Sequence, residues 1–376
     1  MADSARLIQD VLRGEARFTV ICDRVENVEP LLPDGCANLI PSDGPYHGVK
    51  SHGWDNEYKS DAAFLNWKRK RYAAWKRILA SNGTLYDFAS PQMGARVEVA
   101  CREHFNVLGT VTWFKQAMAL QKCPPKCGFD LQRNFIPFSE RIVVAEQKGS
   151  DAIALGESRY GAECDKLRGF MFEPLRAYLD GERERAGFDR AECDKACSNQ
   201  MSKHYFSRIQ WALPTLENYN KLREAFNRDG GDFLARPYEE LRTQYEELRR
   251  PFNVTAQDQY TDVWTYTTVK LYDGKHPCEK PEAMARDIVR ISSRPNDVVL
   301  VFFAGSGIFA SEALKQGRRV IAVEMDPQWA AVTERRCIEA INGQASTMTA
   351  PCMPPMRRKA TRANTPPQLS LFQHIH

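Results

Sequence analysis

The sequence predicts an α/β fold built on a doubly wound sheet, and three observations predict it. The apolar run Val298-Val299-Leu300-Val301-Phe302 ends on the glycine-rich turn Phe303-Ala304-Gly305-Ser306-Gly307. A second run, Arg319 to Val323, follows and closes on Glu324. Strand, glycine turn, helix and a second strand ending in a carboxylate make one half of such a sheet. More strand-like runs lie near the N-terminus, so the remaining strands must come from the other end of the chain.

The elements follow in order. Residues 1–16 read as a short polar helix. Phe18-Thr19-Val20-Ile21 is a strand, with Asp23 just past its end, and a helical stretch over 25–34 leads to the strand that carries Asp43. Residues 60–80 form a strong helix, because Phe64, Trp67, Tyr72, Trp75 and Ile78 recur at helical intervals. That aromatic stripe reads as core packing against the sheet. Asn82-Gly83 is a turn, and Thr84–Phe88, Val107–Trp113 and Arg141–Glu146 are further strands. Neither 17–150 nor 262–342 could close a core alone, which argues for one folded unit carrying an insertion. The division is therefore 1–150 and 262–342 for the two parts of the α/β unit, 151–261 for the insert and 343–376 for a tail.

The insert is charged and mainly helical. Asp189-Arg190-Ala191-Glu192 has the capping-box pattern of a helix start. After a break at Ser198-Asn199, Gln200-Met201-Ser202-Lys203-His204-Tyr205-Phe206 reads as a second helix. That is the layout of a helix-turn-helix, with Gln200, Ser202, Lys203 and His204 facing a nucleic-acid groove; an ordinary helical hairpin has the same layout.

The chain has 376 residues and a formal net charge of +4. A mild positive charge weakly favours a polyanion, through local clusters such as Lys68-Arg69-Lys70-Arg71 and Arg357-Arg358-Lys359. No apolar run has the length of a membrane span and no signal-peptide core is present, which implies a cytoplasmic protein. The eleven cysteines are an odd number and read as reduced thiols. The pairs Cys123/Cys127 and Cys193/Cys197 have no second half for a zinc site, so no metal is expected.

The glycines of 303–307 let backbone approach a ligand closely, and Glu324 can accept two ribose hydroxyls. The spacing is F-x-G-x-G, not the G-x-G-x-x-G of dinucleotide folds. Asp43-Gly44-Pro45-Tyr46 looks like the D-P-P-Y motif of nucleic-acid amino-methyltransferases, and His276-Pro277-Cys278-Glu279-Lys280-Pro281 like their H-P-x-x-K-P segment. In this order, over about 17–150 and 262–342, the motifs resemble the β-class, circularly permuted DNA amino-methyltransferases of bacterial or phage type.

The resemblance implies a Rossmann-like methyltransferase sheet and S-adenosylmethionine as cofactor. It assigns Asp23, Lys280, Phe303, Ala304, Gly305, Ser306, Gly307 and Glu324 to the cofactor, and Asp43, Gly44, Pro45 and Tyr46 to the target amine. It implies double-stranded DNA as partner, a place at the nucleoid, and adenine N6 as the methylated atom, since serine in place of Asp43 is commoner in cytosine-N4 enzymes. The cytosine-N4 reaction is the alternative within the class. From another class, the rival is a DNA-binding regulator on a weakened scaffold, motivated by Gly44 in place of the first proline and Val301-Phe302 in place of Asp-Pro. Glu26-Asn27-Val28 and Pro351-Cys352 match elements of cytosine-C5 chemistry, but in the wrong order. In the tail, Gln368-Leu369-Ser370-Leu371-Phe372 resembles the peptide by which bacterial replication and repair proteins bind the sliding clamp. Recognition sequence, oligomeric state and a partner nuclease are not legible.

Overall fold

The computed structural model describes residues 2–49, 56–115, 138–148, 172–208, 211–255, 258–259 and 261–348. Helix α1 (Ala2–Arg13) leads to strand β1 (Phe18–Cys22), the short helix α2 (Val25–Val28), a 3-10 turn (Glu29–Leu31) and strand β2 (Ala37–Ser42). Helix α3 (Asp61–Ile78), strand β3 (Leu79–Ala89), helix α4 (Gly94–Arg102) and strands β4 (Asn106–Phe114) and β5 (Ser139–Glu146) follow. Helices α5 (Glu173–Arg185), α6 (Arg190–Cys197), α7 (Ser202–Phe206), α8 (Leu216–Phe226) and α9 (Tyr238–Leu248) form the middle. The chain returns through strand β6 (Val263–Trp264), helix α10 (Glu282–Ser292), strand β7 (Val298–Phe302), helix α11 (Ile308–Lys315), strand β8 (Arg319–Glu324) and helix α12 (Pro327–Met348).

One eight-stranded sheet has the order β1-β8-β7-β2-β3-β5-β4-β6. The C-terminal strands β7 and β8 are seated between the N-terminal strands β1 and β2, so neither part of the chain completes the sheet alone. From β1 to β3 all neighbours are parallel, while β5 runs antiparallel to β3 and β4. Parallel strands covered on both faces read as continuous apolar runs, and every residue of β7 is buried. One face packs on α1, α3 and α4 through Ile8, Phe64, Trp75 and Val97. The other packs on α10, α11 and α12 through Ile288, Ala310 and Cys337.

Helix α3 starts at Ser60, whose hydroxyl accepts from the Ala63 N–H at 3.2 Å, and it buries the expected aromatic face. Trp75 stacks on Phe302 with centroids 5.3 Å apart, a contact that contributes about 1 kcal/mol beyond its burial. The same helix corrects the expectation of a basic patch at 68–71. Lys68 is fully buried and donates to both oxygens of Asp87 at 2.8 and 3.0 Å. Arg71 is buried against Glu26 and Glu29, and Arg69 pairs with Glu103. A patch needs its charges at the surface, and only Lys70 is left fully exposed.

Asn82-Gly83 also differs from expectation. It lies inside β3 as a bulge, because Ala37 pairs with Leu79 while Leu39 pairs with Thr84. A Cβ on Gly83 would lie 2.6 Å from Leu79 and 3.0 Å from the Asn38 carbonyl, so this glycine serves close backbone approach. Helix α12 runs to Met348, past the expected boundary at 343. The Gln368–Phe372 peptide, the Cys123/Cys127 pair, Pro351-Cys352 and Arg357–Lys359 lie outside the described residues.

Helices α5 to α9 surround a separate core that includes Leu175, Tyr205, Phe206, Trp211, Tyr219 and Leu241. The capping box at α6 is present: Asp189 accepts from the Glu192 N–H at 2.8 Å, and Glu192 from the Asp189 N–H at 2.8 Å. The second helix is present but shorter than expected, starting at Ser202 and not at Gln200. Helix α7 has five residues, about one and a half turns, and Tyr205 and Phe206 turn inward to fill the core.

Candidate active site

Sheet register brings the separated motifs to one edge. Leu39 on β2 pairs with Val299 on β7, and Asp43 and Phe303 each stand four residues beyond that pair. Cys22 pairs with Glu324, and the Asp23 N–H donates to the Glu324 carbonyl at 3.1 Å. Asp23, Asp43, Phe303 and Glu324 thus share the carboxyl edge of the parallel strands, where open α/β sheets bind ligands. A cavity of about 810 Å³ runs along this edge, with Asp23, Glu324 and Trp329 in one part of its lining and Asp43, Tyr46 and Lys280 in another.

The turn after β7 is left-handed at Phe303 (φ 61°), Gly305 (φ 52°) and Gly307 (φ 75°). Glycine is required at 307, where a Cβ would lie 2.8 Å from the Thr333 backbone. A phenylalanine in this region costs about 1–3 kcal/mol and persists only where its surroundings hold it. Its ring lies 5.9 Å from that of Trp67 and covers Gly44, on which a Cβ would approach the ring to 2.9 Å. That contact gives a reason for glycine at 44 in place of proline. Val301 and Phe302 are buried in the sheet and do not line the cavity, so they offer it no polar contact.

Glu324 sets the turn and faces the cavity. One carboxylate oxygen accepts from the Gly305 N–H at 2.7 Å, the other from the Asp326 N–H at 2.9 Å. Burial raises its pKa. Asp23 accepts from the Asn27 side chain and the Arg24 N–H, each at 2.7 Å, which lowers its pKa.

The other part of the cavity holds a cluster of five groups. Lys280, assigned to the cofactor, lines the cavity, and its Nζ donates to both oxygens of the Asp-Gly-Pro-Tyr aspartate, Asp43, at 2.6 Å. The Tyr46 hydroxyl lies 2.7 Å from Glu140 and 3.1 Å from Asp43. Lys115 Nζ pairs with Glu140 at 2.5 Å. Burial pushes the Asp43 pKa up against the pull of Lys280. Burial works against the Lys280 charge too, but Asp43 and Glu140 together raise its pKa above the ordinary lysine value.

Glu140, Lys115, Trp67 and Trp329 are cavity residues that the sequence did not reveal. Glu140 is the second residue of β5, far along the chain, and nothing near it marks it as more than a surface acid. Trp67 belongs to the aromatic stripe read as core, but its Nε1–H reaches Glu26 at 2.6 Å beside the cavity.

Among the groove-facing candidates, Gln200 and Lys203 are exposed and His204 is partly exposed. Ser202 is a correction: it is fully buried, and its hydroxyl donates to the Arg190 carbonyl at 3.1 Å, inside the insert. Cys193 and Cys197 are buried thiols, and burial pushes the Cys193 pKa up to about 12. Among the described residues no group of three or more candidate ligands could hold a metal ion, and no helix is long and apolar enough to cross a membrane.

A glycine turn and a terminal carboxylate beside an Asp-Gly-Pro-Tyr strand define the site of an amino-methyltransferase. The N6_N4_Mtase family, described as DNA methylase, matches residues 37–335, and the chain belongs to that family. DNA adenine methyltransferase YhdJ of Escherichia coli (strain K12) is 37% identical over 328 residues, covering 86% of this chain and 83% of that one. Type II methyltransferase M2.LlaDCHI of Lactococcus lactis subsp. cremoris is 33% identical over 93 residues, so this chain spans about a third of that relative, 34%. Among solved structures, PvuII DNA methyltransferase (cytosine-N4-specific) aligns with TM-score 0.46 at 11% identity, over 87% of this chain and 92% of that one.

Proposed function

We propose that the protein methylates the N6 amine of adenine in a specific sequence of double-stranded DNA, after the base has left the duplex. The observation that carries this is the placement of Asp43 and Gly44 just past the end of β2, the strand beside the one that carries the glycine turn, with Tyr46 lining the same cavity. An exocyclic amine is a poor nucleophile because its lone pair is delocalised into the ring. The Asp43 carboxylate and the Gly44 carbonyl, aimed at the two amine hydrogens, localise that lone pair. Tyr46 offers the extruded base a stacking face. Catalysis is then mainly positioning.

The cavity suits S-adenosylmethionine. Asp23, Glu324 and Asp326 line it beside the glycine turn, and three carboxylates favour hydroxyl and amine donors and repel a phosphate. Glu324 would hold the ribose, Asp23 the adenine amine, and Gly305 lets the backbone come close. Bound there, S-adenosylmethionine would supply an electrophilic methyl group to the amine, with the C–S bond electrons left on its sulfur and one N6 proton released. The Asp43 carboxylate, as acceptor of the amine, would be the group to receive that proton. YhdJ, similar over most of both chains, is named an adenine methyltransferase, which supports N6. Gln200, Lys203 and His204 are the candidate insert positions that keep exposure to meet DNA.

Purified protein should move labelled methyl from S-adenosylmethionine into duplex DNA, and digestion to nucleosides should place the label in N6-methyldeoxyadenosine. Label in N4-methyldeoxycytidine would transfer the reading to cytosine. No label, with DNA still bound, would favour the regulator.

The Gln368–Phe372 peptide supports a tether to the bacterial sliding clamp, since leucine and phenylalanine anchors suit an apolar pocket. Tethering would raise the enzyme's effective concentration on newly replicated DNA. Clamp should retain the intact protein and not a truncation at Pro367; equal retention of both would remove the tether.

A further inference from the structure

The acid assigned to receive the target amine is already occupied. Lys280 Nζ donates to both Asp43 oxygens at 2.6 Å, and the two side chains are only 3% and 15% exposed. An amine docking on that carboxylate meets an acceptor whose charge is neutralised. Removing the cation altogether would not help. Without it, an aspartate this buried drifts towards its protonated form, which is a poor acceptor.

Glu140 resolves the conflict. Its Oε2 stands 3.5 Å from Lys280 Nζ, so a shift of about 1 Å converts that ion pair into a charge-assisted hydrogen bond. The same oxygen accepts from the Tyr46 hydroxyl at 2.7 Å, which fixes it in place. The Lys280 ammonium lies 5.2 Å from the Tyr46 ring and 5.1 Å from the Phe88 ring, and a movement this small keeps both attractions. The charged and titratable groups around it are Asp43 and Tyr46 after β2, Glu140 on β5, Lys115 after β4, and Cys278 on its own segment, whose carbonyl lies 3.5 Å from Nζ. Two carboxylates and two ammonium groups stay balanced whichever acid holds Lys280.

We infer that Glu140 is a positioning residue that takes Lys280 from Asp43 when the target amine docks, leaving Asp43 ionised and free to accept. The inference rests on Asp43 being the amine acceptor. It involves no covalent step and no proton transfer. A merely structural Glu140 would act by anchoring Tyr46 or Lys115, and its loss would then not depend on the residue at 280.

A double-mutant cycle separates these. Turnover on duplex DNA is measured for full-length wild type, Glu140→Gln, Lys280→Met and the double variant, from neutral to alkaline pH, with cofactor affinity from calorimetry. Glu140→Gln should lower kcat about tenfold or more with cofactor affinity unchanged, yet cost less than about threefold when Lys280 is already methionine. Lys280→Met should move the rise of activity to higher pH by about one unit or more, because Asp43 has lost its cation. An equal cost of Glu140→Gln on both backgrounds, or wild-type turnover in Glu140→Gln, overturns the inference. Should Glu140→Gln fail to bind cofactor, Glu140→Asp carries the same comparison. The base methylated by wild type tests the functional reading separately: label on cytosine changes the substrate, while the cycle still reports the coupling of Glu140 to Lys280.

Discussion

Asp43→Ala should lower methyl transfer by about a hundred- to a thousandfold, the scale expected when a group aimed at the reacting centre of a closed site is removed. The substitution takes away the acceptor that localises the amine lone pair and leaves only the Gly44 carbonyl. Cofactor affinity should stay near wild type, because Asp43 contacts Lys280 and Tyr46 and stands apart from Glu324 and Asp23. Lys280 keeps Glu140, at 3.5 Å, as a counter-ion. That moderates the about 3–5 kcal/mol that breaking a buried ion pair otherwise costs. Single-turnover assays together with calorimetry check both halves. Near-normal turnover would remove Asp43 from the reaction.

Glu324→Ala should act on the other part of the cavity. A hydrogen bond to a charged group contributes about 1.5–3 kcal/mol, so loss of the ribose contacts should weaken S-adenosylmethionine at least about tenfold. The effect should exceed that minimum, because Glu324 also accepts from the Gly305 and Asp326 amides at 2.7 and 2.9 Å. Without it the glycine turn loses the anchor that holds its left-handed backbone. Calorimetry reads the change directly, and unchanged affinity would take Glu324 out of the site.

Much of the fold was legible because its signals are local. The runs at 298–302 and 320–323 are buried on both faces, and burial of that kind leaves continuous apolar sequence. That the two parts complete one sheet followed from the incompleteness of each, while the seating of β7 and β8 between β1 and β2 is visible only in the structure. Local reasoning failed where tertiary contacts decide. Asn82-Gly83 has the composition of a turn, but pairing with β2 holds it in a strand as a bulge. Ser202 sits at the polar start of a helix, yet its hydroxyl is consumed inside the insert. Four basic residues at 68–71 look like a patch until α3 turns Lys68 and Arg71 inward to meet Asp87, Glu26 and Glu29.

The site divides in the same way. Asp43, Phe303, Gly305 and Glu324 belong to compact motifs whose spacing is visible in the chain. Glu140 and Lys115 are brought to Asp43 only by the antiparallel pairing of β5 with β3 and β4, and no local pattern announces them. Gly44 is intermediate. The sequence shows a departure from proline, and the structure supplies its reason in the Phe303 ring.

Methylation of adenine N6 in DNA should depend on the Asp43 cluster. Single-molecule sequencing of modified bases in DNA from cells lacking other adenine methylation, expressing either wild type or Asp43→Ala, tests it most directly. Wild type should leave N6-methyladenine within one recognition sequence, and Asp43→Ala should leave none. Modified cytosine in place of adenine, or a pattern that persists in Asp43→Ala, would contradict it.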